Sequence, residues 1–479
     1  DGNVQQVQQL LNNNSNINFC YRNINDQTPF WIACENGYIE IVKLLLNDGR
    51  VDINEVNKEA QTPLHFACEN GYVDFVELLL KHNKVDLNQE DSYGQTPLYI
   101  ACCQGHIEIV KVLLNDSRVN INNALSEEVN SACFNGHLDV VKLLLNNERV
   151  DINEFKSDRY GRTPFWVACE NGHTDIVEFL LHNEKVDINQ VGDTRVTPFY
   201  IACENGYIEV VKLFLNDSRV DVNKAEYNDE TPFYAACKSE QIKIVKLFLD
   251  DKRFDINKAN YFGVTPFWIS CSYGLIEIVK LLLNDERVDV NQADRNGRTP
   301  LHIACGYGHI ETVKLLLNDL RVDINKTNND GATPWLIASQ KGYVEIVQHL
   351  LASQKGLTLN DEALINMERI RKEIKKEGWE SEEQFQLRLK NYENVIELLE
   401  SFKRNPTETR FKLRLQFGFI GKQFLFFFLS NFILFYFILI LISILFYFIS
   451  IFHRCRSSLC IFSYRSSFRP LLPFQKGMK

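Results

Sequence analysis

Apolar residues along the first 350 positions fall into two short clusters that recur together. Between Thr62 and Asn88, Leu64, Phe66, Ala67 and Cys68 form a compact apolar set, and Val73, Val76, Leu79 and Leu80 follow at helical spacing. The first set predicts a short helix opened by Thr62-Pro63. Threonine caps free backbone N–H groups, and proline suits the first turn, where its missing donor is not needed. Asn70-Gly71 stops that helix, because glycine tolerates the left-handed backbone that follows a helix C-terminus. The second set predicts a second helix. Val85-Asp86-Leu87-Asn88 then leads into a polar turn that closes at the next Thr-Pro.

This pattern repeats. Thr-Pro openings stand at Thr28, Thr62, Thr96, Thr163, Thr197, Thr231, Thr265, Thr299 and Thr333, spaced by 34 residues wherever neighbouring copies are intact. A fixed period of this size denotes stacked repeats, in which each copy packs only on its neighbours and the product is an extended gripping surface. Two copies depart from the rule. In the fourth, Glu127-Glu128 stand where Thr-Pro belongs; the stretch from Asn122 to Glu127 is three residues short, and the next, Asn153 to Thr163, is two residues long. That irregularity reads as a tolerated surface deletion, with a local hinge or a notch in the binding surface as the alternative. The seventh carries Glu240 where the others place glycine between helices, which predicts a mild local destabilisation. Gly2–Ile17 matches the second half of a repeat, so the sequence, which begins at Asp1, reads as truncated at its N-terminus.

The Thr-Pro-Leu-His-x-Ala opening at Thr62, the Gly-His or Gly-Tyr between helices, the Val-Val-x-Leu-Leu-Leu second helix and the Asp-Val-Asn exit resemble the ankyrin repeat over residues 1–352. The resemblance implies an all-α ankyrin-repeat solenoid: helix-turn-helix units joined by β-turn loops, with ten openings after an N-terminal half repeat. It also implies that the histidine of the opening ties adjacent turns by hydrogen bonds. Only His65 and His302 keep it; Trp31, Tyr99, Trp166, Tyr200, Tyr234 and Trp268 take the slot elsewhere, which predicts packing with one polar tip at most. The repeats exceed the commonest ankyrin length by one residue, in the Asn-Asp-x-Arg stretch exemplified by Asn47–Arg50.

Charge and cysteine placement narrow the function. The chain's formal charge is −10, yet Lys403–Lys479 holds twelve Lys or Arg against Glu408, a net of +11 that leaves −21 on residues 1–402. An acidic array repels phosphate backbones and excludes nucleic acid as the expected partner. Nine of the thirteen cysteines (Cys34, Cys68, Cys102, Cys133, Cys169, Cys203, Cys237, Cys271 and Cys305) fill one equivalent slot per repeat. Roughly 10 Å between stacked helices exceeds the Cα separation of about 7 Å that a disulfide tolerates, so they read as reduced core thiols and predict a cytoplasmic array.

Beyond the array the pattern changes. Residues 353–405 predict an amphipathic helical hairpin that caps the stack, or alternatively a short coiled coil. Leu364, Met367, Ile370 and Ile374 mark its first arm; a Ser381/Gln384 capping box followed by Phe385, Leu389, Tyr392, Ile396 and Leu399 marks its second. Residues 406–423 read as a basic linker. Phe424–Phe452 holds 29 residues without a charge, built from Phe, Ile, Leu and Tyr with three Ser and one Asn, and is long enough for a transmembrane helix. Basic residues flank both ends, so the positive-inside rule sets no orientation; a cytoplasmic array would leave the basic tail 453–479 across the membrane. The same residue types are those of A/T-rich codons, the composition expected of translated noncoding sequence.

No nucleotide-binding, zinc-protease, hydrolase or kinase signature is present, and the ten histidines are scattered, mostly in repeat-equivalent slots. The expected function is a non-enzymatic protein–protein interaction scaffold, without cofactor, metal or small-molecule substrate, anchored to a membrane through Phe424–Phe452. The alternative is the regulatory ankyrin portion of a larger kinase or ubiquitin ligase. In the ankyrin family, contacts come from turn tips and the exposed face of the first helix. Carried onto this sequence, that assigns protein binding to Tyr93, Arg159, Tyr160, Arg195, Tyr227, Tyr261, Phe262 and Arg295, with Lys58, Glu59, Asp193, Asp229 and Asn329 beside them. Aromatic and Arg side chains dominate interface energetics, although each of these is equally suited to ordinary turn packing.

Overall fold

A computed structural model describes residues 2–13, 22–120, 125–146, 152–153, 161–192, 195–353, 357, 365 and 381–417. Every element among them is a helix, and the chain divides into two compact units, Asp1–Ile346 and Val347–Lys479.

The first unit begins with α1 (Val4–Asn12) and α2 (Pro29–Glu35), and helices then alternate between two rows. The inner row continues with α4 (Pro63–Glu69), α6 (Pro97–Cys103), α8 (Leu125–Asn135), α10 (Pro164–Asn171), α12 (Pro198–Asn205), α14 (Pro232–Lys238), α16 (Pro266–Tyr273), α18 (Pro300–Tyr307) and α20 (Pro334–Lys341). The outer row comprises α3 (Ile39–Leu46), α5 (Val73–Leu80), α7 (Ile107–Leu114), α9 (Leu138–Leu145), α11 (Thr174–Leu181), α13 (Ile208–Leu215), α15 (Ile242–Asp250), α17 (Ile276–Leu283), α19 (Ile310–Asn318) and α21 (Val344–Ala352), whose last turns belong to the second unit. Inner helices pack on inner helices from α2 to α20, and the slot cysteines lie buried in that row with free thiols. The core is aromatic towards the middle, where Phe248 stacks on Phe254 with centroids 4.0 Å apart.

The openings form for the reason the residue types predict. Threonine side chains from Thr28 to Thr299 accept the backbone N–H three residues on, and proline follows at the first helical position; Thr333 alone makes no such side-chain bond. The slot three residues after the threonine holds more than packing where histidine or tryptophan fills it. At Thr62, the backbone N–H donates to His65 Nδ1 at 3.0 Å, so Nε2 carries the proton and donates to the Gln95 carbonyl at 3.1 Å. His302 repeats this with the Ala332 carbonyl. Trp31, Trp166 and Trp268 donate Nε1–H to the equivalent carbonyls of Gln61, Val196 and Arg298, at 3.2, 2.9 and 2.8 Å. Tryptophan therefore keeps the inter-repeat hydrogen bond that histidine makes and adds buried ring area. The extra residue per repeat also has a use: Arg118, Arg219, Arg253, Arg287 and Arg321 each reach back to a carbonyl at the C-terminus of the preceding outer helix while pairing with the Asp two residues earlier.

Repeat seven shows what its missing glycine requires. Glu240 takes φ 58°, the left-handed backbone that Gly71, Gly105 and Gly206 adopt in their repeats. In the second unit, α22 (Glu382–Arg404) opens with the Ser381/Gln384 capping box and buries Tyr392, Val395, Ile396, Leu399 and Phe402. The segment read as a basic linker contributes a further helix, α23 (Pro406–Gln416), whose Arg410 bonds the Leu351 carbonyl at 3.2 Å, while Phe417 just beyond it stacks on His349. Apart from Ile365, the hairpin's first arm, around Leu364–Ile374, lies outside the described residues, as does Phe424–Phe452. Among the described residues no helix is long and apolar enough to cross a membrane.

Candidate protein-interaction surface

Two rows of side chains define the candidate surface: the turn tips before each inner helix, and the last residues of the inner helices. The tips of repeats one to three and of repeats seven to ten are linked through backbone. Lys58 N–H meets the Asn25 carbonyl, Ser92 N–H that of Glu59, Tyr261 N–H that of Asn228, Arg295 N–H that of Phe262 and Asn329 N–H that of Asn296, at 2.7–3.2 Å. Side chains on this ladder are therefore held at a fixed repeat spacing.

Among the aromatic tips Tyr93 and Tyr227 are the most exposed, at 77% and 72%, and Tyr261 and Phe262 are more than half exposed. The rings are ordered by their neighbours. Arg295 lies flat over Tyr261 at 3.9 Å, Phe262 meets Tyr261 edge-on at 5.4 Å, and Arg195 stands 6.0 Å above Tyr227. Arg195 itself holds φ 58°, in the turn position where Gly94, Gly263, Gly297 and Gly331 sit elsewhere. The structure thus brings Arg195, Tyr227, Tyr261, Phe262 and Arg295 onto tips of repeats six to nine, with Tyr93 on that of repeat three. Arg159, Tyr160 and Asp193 lie outside the described residues.

Sequence reasoning missed three members. Phe134, Tyr273 and Tyr307 end the inner helices α8, α16 and α18 and are all more than half exposed. The signal was their place one or two residues after the slot cysteine, where other repeats carry Glu-Asn; Tyr273 and Tyr307 are equivalent in consecutive repeats. The same row holds Glu35, Glu69, Glu170 and Glu204. Burial raises the Glu204 carboxyl; Lys238 opposes this, and Glu230 and Glu226 add to it. Glu230 is engaged, pairing with Lys238 and accepting from the Tyr200 hydroxyl at 3.3 Å. At this spot three acids, Glu204, Glu226 and Glu230, act together with one cation, Lys238.

The buried titratable groups have structural rather than reactive settings. Burial pushes every slot thiol from Cys34 to Cys305 well above the ordinary cysteine range, far from thiolate chemistry. Burial likewise lowers His65 and His302, whose bonds to carbonyls oppose the shift. Among the described residues no group of three or more His, Cys, Asp or Glu is placed to hold a metal.

A family model described as Ankyrin repeats (3 copies) matches residues 1–91, 49–124, 129–192, 184–260, 244–328 and 267–363. The matches leave out 125–128, the stretch where Glu127-Glu128 replace Thr-Pro. No curated protein matches the chain.

Proposed function

This chain belongs to the ankyrin-repeat family, and on that premise we propose that it is a non-enzymatic scaffold that grips a protein partner along its turn tips and inner-helix ends. Ankyrin repeats typically mediate protein–protein interaction, and they are a non-catalytic module. The observation that carries the reading here is the exposed aromatic row on repeats seven to nine: Tyr227, Tyr261 and Phe262 on the tips, Tyr273 and Tyr307 on the helix ends. Solvent-exposed rings stacked by arginine lose little conformational entropy on binding and supply the large contact area of interface anchors. The acidic excess around Glu204, Glu226 and Glu230 favours a partner segment that is basic next to its apolar anchor. Attachment to a membrane through Phe424–Phe452 belongs to the same proposal and rests on that run's length and lack of charge. A cytoplasmic array would place that partner in the cytosol.

The test is a triple substitution, Phe262→Ser, Tyr273→Ser and Tyr307→Ser, which leaves the buried rows untouched. Partners crosslinked to the full chain are purified and titrated calorimetrically against both proteins. The scaffold reading expects saturable binding to weaken at least a hundredfold with helicity unchanged. Binding unaltered by the triple substitution, or the absence of any saturable protein partner, refutes it.

A further inference from the structure

Repeat four carries a buried carboxyl that no described neighbour neutralises. Glu128 takes the position that proline fills in the other nine openings and sits in the first turn of α8, only 2% exposed. Proline asks for no partner there; a carboxylate does. Among the described residues Glu128 Oε2 has no hydrogen-bond partner. The described groups on the elements around it offer no counter-charge. Glu127 adjoins it on α8, with Glu90 near Glu127; α6 presents Tyr99, Cys102 and Cys103. On α9, Asp139 is exposed and Lys142 lies over the Phe179 ring at 5.7 Å, while His137 just before it bonds the Cys103 carbonyl through Nε2. On the α10 side, Cys169 is buried and Arg162 pairs with Glu170 at 2.8 Å.

We propose that Glu128 makes repeat four an ionisation-controlled joint in the array. Protonated, the carboxyl lets α8 stay seated between α6 and α10, the two inner helices it packs against. Ionised, it draws the first turn of α8 out of that seat to reach water, which interrupts the inner row between repeats three and five. The same substitution that removes Thr-Pro thus places the switch at this opening.

Burial pushes the Glu128 carboxyl up to about 8; its own backbone N–H opposes the rise and Glu127 adds to it. A group raised in the folded state contributes its full stability below its unfolded value and loses it as pH rises through the folded one. The opening constant of α8 should therefore climb roughly tenfold per pH unit from about 5 to about 8 and then level off.

Amide hydrogen exchange of the full chain in mild detergent, from pH 5.5 to 8.5 and corrected for intrinsic rates, reads this directly. Peptides of α8 are compared with those of α16, which has an intact opening, in the native protein and in E128Q, E128M and E127Q. The expected result is a tenfold-per-unit climb confined to α8 and its contacts, abolished in E128Q and in E128M and retained in E127Q. If α8 opens no more steeply than α16, or if both neutral variants keep the climb, the proposal is overturned.

Discussion

Glu240 and Leu275 form a pair whose logic only the stacked structure exposes. In seven other junctions a glycine between helices lies under a side chain from the next repeat: Gly71 under His106, Gly105 under His137, Gly136 under His173, Gly172 under Tyr207, Gly206 under Gln241, Gly274 under His309 and Gly308 under Tyr343. A Cβ added at any of these glycines would come within 2.9 Å of that side chain. The covering histidines also tie back to the preceding inner helix, as His309 Nε2 does to the Ser272 carbonyl at 2.7 Å. Repeat seven breaks both rules together. Glu240 supplies a Cβ at φ 58°, and repeat eight carries Leu275, which has no polar tip, at the covering position. Glu240→Gly removes a left-handed strain of about 1–2 kcal/mol and adds chain entropy of about 0.5–1 kcal/mol, a net gain of roughly 0.5–1 kcal/mol. Leu275→His alone should cost about 1–2 kcal/mol, because its ring meets the Glu240 Cβ. Together they should gain about 1–2 kcal/mol, since the ring then fits and ties to the Lys238 carbonyl. The two changes are thus coupled by about 2 kcal/mol. The cycle is read by amide exchange in residues 236–245 and 270–279, because long arrays do not unfold as one two-state body. Additivity within about 0.5 kcal/mol would refute the interlock.

The converse substitution, Gly105→Ala, should destabilise the junction of repeats three and four by about 2–4 kcal/mol in the same exchange assay, since it combines φ 76° with a Cβ 2.5 Å from His137 Nδ1. His65 and His302 are lowered by burial, so their stabilisation is complete above pH 6.5 and fades as pH falls through their folded values; protection of repeats two and nine should drop between pH 7 and 5, and His65→Gln should flatten the drop in repeat two alone. Arg287→Ala, which loses the bond to the Leu249 carbonyl, should cost about 1 kcal/mol, whereas Lys43→Ala, at an exposed pair with Glu40, should stay within about 0.5 kcal/mol, both read by amide exchange in the helices concerned. After an alkaline wash, the full chain should remain in the membrane pellet and a chain ending at Arg410 should not; equal release of both removes the anchor.

What could be read along the chain was whatever a repeat decides by itself. Thr-Pro openings, left-handed stops and the two helical periods are local, and the helices follow them within a residue or two. What needs two repeats at once was illegible. A tryptophan at 31, 166 or 268 looks like packing until the carbonyl 30 residues on is stacked against its Nε1. Tyr273 and Tyr307 look like helix ends until the inner row turns them outward, and Pro406–Gln416 passes for a linker because its charges outnumber its apolar positions. The departures from the repeat are more telling than its regularities. The missing glycine at 240 is accompanied by a leucine at the covering position 275, so the departure falls on both sides of one interface. Glu128 has no such counterpart among the described residues: the next opening, Thr163-Pro164, is intact, and Asn130, in the histidine slot of the same helix, still reaches the Arg162 carbonyl at 3.3 Å. The inter-repeat bond of repeat four therefore survives while its Thr-Pro does not. That combination loosens the start of α8 without detaching its middle, which is the arrangement a joint needs and an ordinary surface deletion does not.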